Sequence, residues 1–371
     1  MKYYCGIDLH SNNCYLCIMD EYGKVVVQRR VPNHLDVIVA ILKPYGESMA
    51  GVVVESTYNW YWLIDGLKEA GHTVHLANTV RNKQYSGLKH ADDKSDARWL
   101  AEMLRLELLY TGYIYPAKER PLRDLLRKRM RMVQMRTMQT LTIQGMVARH
   151  NGISVNSYSL KQAGEEYLER TFKEELVYLS AKSNWAVMNC LEEQIKILEK
   201  KIEPLIKLRP EYQQLLTVPG IGKILAMTIS LETGEIERFP KVENYASYCR
   251  CVPSEHTSNG KKKGKGNTKN GNGYLAWAYI EAATFAIRFH EEVTKFHQRK
   301  NRKSAHPLVA KKAVAHKLSR ASYYVIKNRE PFEMGKAFAC TVKRGKEPLG
   351  RDNEQGKGKS SSEAPIASQG E

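Results

Sequence analysis

Four acidic residues near the N-terminus have the types and spacing of a metal site. Asp8 lies in CGIDLH, and Glu55 ends the valine-rich segment VVVE. Asp93 and Asp96 stand three apart in DDKSDARWLAEML, where both side chains would share one face of a helix. Carboxylates suit Mg²⁺, and two such ions about 3.5–4 Å apart could clamp the oxygens of a phosphodiester. Asp92 is expected to cap the helix, but it could replace Asp93 as a ligand.

A second group of reactive side chains follows Pro253. The segment from Ser254 to Gly273 contains five lysines among many Gly and Asn residues. These lysines are Lys261, Lys262, Lys263, Lys265 and Lys269. We expect a flexible loop that grips phosphate, because lysines supply charge and glycines allow the backbone to approach closely. Ser254, Thr257 and Ser258 are the hydroxyl groups that could attack phosphorus there, since nearby cations would stabilise the developing charge.

A third feature is a run of arginines at helical spacing, namely Arg120, Arg123, Arg127 and Arg131. Steps of three and four residues place them on one helix face. A solvated charged face is the ordinary interpretation of such a run. Because no acidic residue is evident beside them, we expect this face to contact phosphates.

Composition sets the class of protein. The formal net charge of +18 comes from 58 Lys and Arg against 40 Asp and Glu, which favours a nucleic-acid partner. Apolar runs are too short to span a membrane, and no signal-peptide pattern opens the chain, so a cytoplasmic location is expected.

The seven cysteines do not suggest a disulfide framework. Cys14 and Cys17 form a CxxC on a predicted strand, where they would point to opposite faces, so buried thiols are favoured over zinc.

Four segments are predicted along the chain. Residues 1–115 alternate strands and helices, with three early strands and later βα units, as in an RNase H-like α/β domain. Residues 116–205 are charged and helical and predict a long coiled-coil arm. Residues 206–330 predict a mainly α domain with a helix-hairpin-helix-like turn at VPGIG, which could present backbone N–H groups to phosphate. Residues 331–371 have few apolar side chains and predict a basic, disordered tail.

The acidic and serine-containing segments, in this order, resemble the DEDD transposases of bacterial insertion sequences, the "one-ten" family and its eleven-eleven branch. GIDLH, VVVEST and DDKSDARWLA are similar to the family's RuvC-like domain. TVPGIG and the stretch from ERFP to NGN are similar to its transposase domain. The chain departs from the family pattern at Ala91-Asp92, Asn259 and Thr268, where the family has Lys-Thr, Gly and Ser.

The resemblance implies a role for each matching residue. Asp8, Glu55, Asp93 and Asp96 would bind Mg²⁺, and Ser258 would be the nucleophile that cuts and rejoins DNA. It further implies donor and target DNA as partners and a non-coding guide RNA encoded by the element. A homo-oligomer, dimer or tetramer, is expected because recombination needs several cuts.

Two other functions remain open at this stage. A structure-selective, Mg²⁺-dependent endonuclease, similar to a Holliday-junction resolvase, would use the acidic site with water and would not need Ser258. A nucleic-acid-binding scaffold would show no metal dependence, and the complete acidic set argues against it.

Overall fold

The structure, a computed structural model, describes residues 1–78, 82, 92–254, 256–264, 270–304 and 306–338. Its strands are β1 (Tyr3–Leu9), β2 (Asn13–Asp20), β3 (Val25–Pro32), β4 (Met49–Glu55), β5 (Val74–Ala77), β6 (His256–Ser258) and β7 (Lys261–Gly264). Its helices are α1 (Leu35–Leu42), α2 (Tyr61–Glu69), α3 (Asp93–Arg105), α4 (Arg120–Asn151), α5 (Ser157–Gln162), α6 (Glu165–Thr171), α7 (Glu175–Lys207), α8 (Pro210–Leu215), α9 (Lys223–Thr233), α10 (Val242–Tyr248), α11 (Gly273–Phe289), α12 (Glu291–Asn301), α13 (Pro307–Asn328) and α14 (Met334–Phe338). None of the helices in these ranges is long and apolar enough to cross a membrane.

The N-terminal domain is a mixed five-stranded sheet with the order β3-β2-β1-β4-β5. β1 pairs antiparallel with β2 and parallel with β4, so it lies at the centre. Ile38 of α1 and Leu63 of α2 are buried in the core on one face of the sheet. Ala97 and Ala101 of α3 are buried on the other. The predicted α/β character of this domain is confirmed.

A glycine in β1 sets the distance between the sheet and α3. A Cβ atom at Gly6 would lie 2.1 Å from the carbonyl oxygen of Ala97 and 2.6 Å from the amide nitrogen of Ala101. Only a residue without a side chain allows the helix to approach this closely. The first turn of α3 is thereby held next to the C-terminal end of β1.

The CxxC cysteines lie on opposite faces of the sheet. Cys14 is buried in the core formed with α1 and α2, and Cys17 is buried against α3. Burial, followed by the charge of Asp8, raises the pKa of Cys14 to about 12, and burial raises that of Cys17 to about 11. Both are reduced, protonated core residues and cannot bind one zinc ion together.

The arm consists of α4 and α7, which run antiparallel. Arg129 pairs with Glu199, and Arg136 pairs with Glu192, so residues advance along one helix as they recede along the other. α5 and α6 lie at the far end of this pair. There, Leu160 and Phe172 complete a small apolar core.

The C-terminal domain is mainly helical and has its own core. α9, α11 and α13 contribute most of it, and the hydroxyl groups of Tyr245 and Tyr279 are 2.8 Å apart inside it. The turn at VPGIG joins α8 to α9, and its Val218 and Ile221 are buried in this core. α14 lies beyond the predicted boundary at 330 and packs on this domain through Phe338. Residues 339–371 of the predicted tail lie outside the described residues.

The predicted phosphate-binding arginine face is wrong for three of its four members. Arg120 is buried, pairs with Asp65 at 2.6 Å and stacks on Trp60. Arg123 is also buried, 3.8 Å above the ring of Tyr115. Asp65 and Trp60 are distant in sequence from Arg120, so the local pattern could not reveal these partners.

Arg127, the third, joins the arm to the C-terminal domain. Its guanidinium donates to both carboxylate oxygens of Glu232, at 2.5 and 2.7 Å. Glu232 is 3% exposed and also accepts from the side chain of Asn272, which caps α11. The hydrogen bonds to this carboxylate therefore connect α4, α9 and the start of α11. Arg131 is exposed and stays a candidate for phosphate contact.

We predict that Arg127→Ala lowers the free energy of unfolding by about 3 kcal/mol, because it leaves the buried carboxylate of Glu232 without its charged partner. Arg131→Ala, one helical turn away and exposed, should change it by less than about 0.5 kcal/mol. Denaturant unfolding of both variants measures the difference. Equal stabilities would show that the Arg127–Glu232 pair does not hold the domains together.

Candidate functional site

The site is built where two parallel strands end. Ile7 of β1 lies opposite Val54 of β4, and Asp8 and Glu55 come next in each strand. Asp8 is 3% exposed and Glu55 is half-buried. Because the carboxyl ends of parallel strands meet at one edge, the two acidic side chains are neighbours.

The first turn of α3 adds the other acidic residues. Asp92 is the N-cap: its carboxylate accepts from the amide of Ser95 at 2.8 Å, and the Ser95 hydroxyl accepts from the amide of Asp92. These hydrogen bonds lower the pKa of Asp92. Asp93 and Asp96 follow in the first turn. Asp92 is thus engaged in capping, which leaves Asp93 as the residue directed to the strands.

His10 lies between two of the carboxylates. Its Nε2 atom is 3.3 Å from Oδ2 of Asp8 and 3.2 Å from Oδ2 of Asp93. Asp8, His10 and Asp93 each offer one potential ligand atom, and these three atoms lie within 4.8 Å of one another. His10 was not among the residues predicted from the sequence. The signal was present, because residues two apart on a strand point to the same side.

Two of these carboxyl groups, those of Glu55 and Asp96, have raised pKa values. Burial, followed by a hydrogen bond with Asp8 and the charges of Asp8 and Asp96, raises the pKa of Glu55 to about 8. Burial, followed by the charges of Asp8, Asp93 and Asp92, raises the pKa of Asp96, whereas His10 opposes this. The predicted tetrad is therefore brought together. Several carboxylate oxygens lie close together here, with little neighbouring positive charge. Such a group of oxygen ligands is suited to bind a divalent cation.

Ser258 lies on a β-ribbon in the C-terminal domain, not in the flexible loop expected for residues 256–264. Ser258 pairs with Lys261 across the turn Asn259-Gly260, whose φ values are +49° and +69°. Asn-Gly with two positive φ angles is typical of a type I′ hairpin turn. Thr257, Ser258, Lys261 and Lys263 are all exposed. Lys265, Lys269 and the side chain of Lys262 lie outside the described residues.

The base of this segment is fastened to the domain. The Arg250 guanidinium donates to the carbonyl oxygen of Gly271, at 2.8 and 3.2 Å. The amide of Asn272 donates to the carbonyl oxygen of Tyr248 at 2.6 Å. Residues 250 and 271 are therefore held side by side.

Ser258 lies on β6, whereas the acidic residues lie on β1, β4 and α3. Over the described residues, no hydrogen bond or ion pair connects Ser258 with Asp8, Glu55, Asp93 or Asp96. The structure therefore brings the acidic residues into one site and leaves Ser258 on a separate exposed ribbon.

A basic surface on α12 and α13 was also not predicted from the sequence. Residues 293–329 contain no Asp or Glu. Exposed cations here include Arg299, Lys300, Arg302, Lys303 and Lys312. Burial, followed by the charges of Arg299, Lys300 and Arg320, lowers the pKa of Lys317. The signal was the run QRKNRK together with the absence of acidic residues after it.

The raised pKa of Glu55 makes a prediction about pH. Its carboxyl keeps its proton in the folded chain up to about pH 8, whereas the unfolded chain releases it near the ordinary value of 4.5. In EDTA, stability should therefore fall as pH rises from about 5 to about 8, by less than the limit of about 1.4 kcal/mol per pH unit for one proton.

Glu55→Gln removes this contribution, so its stability relative to the wild type should increase across the same window. Thermal unfolding at several pH values measures the difference. Parallel pH profiles for the two proteins would show that Glu55 ionises normally.

Comparisons with known proteins match both halves of the chain. A family model for transposases of the DEDD type, IS110 group, matches residues 5–151. A second, described as the transposase IS116/IS110/IS902 family, matches residues 212–298. The first match contains the acidic site, and the second contains Ser258.

Individual relatives agree with these matches. The transposase for insertion sequence element IS1111A of Coxiella burnetii is 26% identical over 294 residues, covering 76% of this chain and 77% of the relative. A probable family 20 transposase of Pseudomonas aeruginosa is 26% identical, covering 62% and 68%. The transposase for IS1328 of Yersinia enterocolitica is 22% identical, covering 75% and 82%. With two family models matched in order and an acidic site in the first, the chain belongs to the IS110 family of insertion-sequence transposases, enzymes that cut and rejoin DNA.

Proposed function

We propose that this transposase is a Mg²⁺-dependent DNA recombinase with a serine nucleophile. The observation that carries the proposal is the convergence of Asp8, Glu55, Asp93 and Asp96 where two parallel strands end. The strand order β3-β2-β1-β4-β5, antiparallel on one side of β1 and parallel on the other, supports an RNase H-like domain. Acidic residues at the ends of central strands then serve phosphodiester chemistry.

The residues of the acidic site would hold the metal. Asp8 and Glu55 are fixed by the sheet, and Asp93 and Asp96 by the capped start of α3. When bound, Mg²⁺ neutralises the charge that develops on the phosphodiester oxygens. The rigid framework keeps the four carboxylates together despite their repulsion, so little reorganisation is needed when the cation enters.

Ser258 would form the covalent link to DNA. Its Oγ bonds to phosphorus as the bond from phosphorus to the departing nucleotide oxygen breaks, and that oxygen takes up a proton in place of the one lost by serine. The reverse step, with a hydroxyl from another strand, rejoins DNA and releases Ser258. Its exposure beside the turn leaves room for a phosphate, and Lys261 lies opposite it.

The separation of Ser258 from the acidic residues supports an oligomer. Both would act on one phosphate in a composite site, so a ribbon from a second copy, in a dimer or tetramer, could reach the acidic site. A guide RNA that pairs with donor and target DNA is proposed on family membership alone.

DNA would be held largely by the basic surface on α12 and α13. Burial, followed by the charges of neighbouring cations, lowers the pKa of Lys317, and a polyanion bound here would offset the repulsion among these cations. The lysines of the ribbon add charge beside Ser258. This surface takes the place of the arginine face, whose charges are mostly engaged inside the protein.

A structure-selective endonuclease is the second candidate. The observation that favours it is that the acidic residues are assembled within one domain of a single chain, without Ser258. In that mechanism, water attacks the phosphodiester and no protein–DNA bond forms.

We predict that Ser258→Ala abolishes strand exchange and the covalent protein–DNA species. Thr257→Val is the matched control: it is the adjacent exposed hydroxyl but points to the other side of the ribbon, so it should retain both. The assay combines Mg²⁺, guide RNA and both DNA partners, followed by denaturing electrophoresis. Mass spectrometry should place the nucleotide on Ser258.

Normal recombination by Ser258→Ala would contradict the serine mechanism. Nicking of DNA by the wild type without a covalent protein–DNA adduct would favour the endonuclease.

We further predict that Lys300→Ala with Lys303→Ala weakens DNA binding and flattens its salt dependence. The slope of log affinity against log salt should fall by about 0.9 for each phosphate that the protein no longer neutralises. Lys200→Ala with Lys201→Ala removes two exposed charges from α7 and should leave the slope unchanged. Fluorescence anisotropy between about 50 and 200 mM salt distinguishes them. Equal slopes for both double variants would exclude this surface from DNA binding.

A further inference from the structure

We propose that the imidazole of His10 is itself a metal ligand and gives the site a preference for Mn²⁺ over Mg²⁺. This inference rests on the metal site of the proposed function and adds a nitrogen donor to its four carboxylates. It concerns which cation the site selects, which the acidic residues alone do not determine.

The first observation is the direction of the ring. The side chain of His10 is 38% exposed, yet its Nε2 atom is buried and has no hydrogen-bond partner within the described parts of the chain. That atom lies between Oδ2 of Asp8 and Oδ2 of Asp93, at 3.3 and 3.2 Å. A buried nitrogen without a hydrogen bond, in contact with two carboxylates, is placed as a third donor to a shared cation.

The second observation is that the backbone at His10 is fixed by its neighbours. The amide of His10 donates to the carbonyl oxygen of Asn13 at 2.9 Å. The carbonyl oxygen of His10 accepts from the side-chain amides of Asn33 and Asn59, each at 2.9 Å. Three hydrogen bonds from different segments hold this residue just beyond β1. A ligand held in this way loses little conformational freedom when a metal binds.

The chemistry of the donor determines the preference. Mg²⁺ favours oxygen ligands and retains its waters. Mn²⁺ also binds carboxylates, but as a transition metal it accepts an imidazole nitrogen more readily than Mg²⁺ does. Coordination by Nε2 of His10 would therefore strengthen Mn²⁺ binding more than Mg²⁺ binding. If His10 only contacts the carboxylates and does not coordinate the metal, an arriving cation would displace it.

Pulsed electron paramagnetic resonance of Mn²⁺ bound to the full chain distinguishes these roles. The nitrogen of a coordinated imidazole modulates the electron spin echo of Mn²⁺. Labelling histidine with ¹⁵N changes this modulation, so the label identifies a histidine ligand in the wild-type protein. We expect nitrogen modulation in the wild type, its loss in His10→Ala and His10→Gln, and its retention in His72→Ala. His72 precedes β5, at the opposite edge of the sheet, and is a matched control.

Titration supplies the second measurement. Loss of the nitrogen ligand should weaken Mn²⁺ binding by about tenfold or more, since even outer-shell changes cost 10–100-fold, with a much smaller effect on Mg²⁺. The role of His10 would be overturned if Mn²⁺ bound the wild type without nitrogen modulation, or if the modulation persisted in His10→Ala. Either result would leave the acidic site intact. Failure of the wild type to bind Mn²⁺ or Mg²⁺ would overturn the metal site and the role of His10 together.

Discussion

The mutual repulsion of four carboxylates at one edge of the sheet is the constraint on which the N-terminal domain depends. Asp8 and Glu55 are forced together by the parallel pairing of β1 and β4. Gly6 allows α3 to rest on β1, which brings Asp93 and Asp96 to the same place. Burial, followed by the nearby acidic groups, raises the pKa values of Glu55 and Asp96. A fold that maintains such an arrangement is suited to receive a cation there.

Positive charge has two distinct roles in this chain. Arg120, Arg123 and Arg127 are engaged with aromatic and acidic groups that fasten the arm to the two domains. Residues 293–329 contain no acidic residue, and several cations of this segment, such as Arg299, Lys300 and Lys312, are exposed. The formal net charge of +18 therefore does not show which basic residues meet nucleic acid. The distinction depends on partners brought near by the fold, such as Glu232.

Several features could be predicted from the sequence because their signals are local. The valine run before Glu55 indicated a buried strand with an acidic end, and the spacing of Asp93 and Asp96 indicated one helix face. The antiparallel arm followed from helical periodicity. The CxxC cysteines were expected on opposite faces of a strand, as the structure shows. The arginine face failed because Asp65 and Glu232 are distant in sequence from the residues they pair with.

Other features were missed although their signals were local. Asn259-Gly260 is a hairpin turn signal, but the surrounding lysines and glycines favoured a flexible loop. His10 is two residues from Asp8 on an extended segment, but a single histidine beside a strand has no distinctive sequence pattern. The position of Ser258 relative to the acidic site could not be predicted from the sequence, because it depends on how the domains are arranged. In the proposed mechanism it also depends on how copies of the chain are arranged.

The measurement that tests the central claim most directly is anomalous X-ray diffraction from crystals of the protein soaked in Mn²⁺. The account predicts anomalous density bounded by Asp8, Glu55, Asp93 and Asp96, and its loss in crystals of Asp8→Asn, which keeps the size of the side chain but removes its charge. The contradicting result would be a protein that cuts DNA only when a divalent metal is present but whose crystals show no anomalous density among these four residues. Anomalous density elsewhere in the chain would then identify a different metal site.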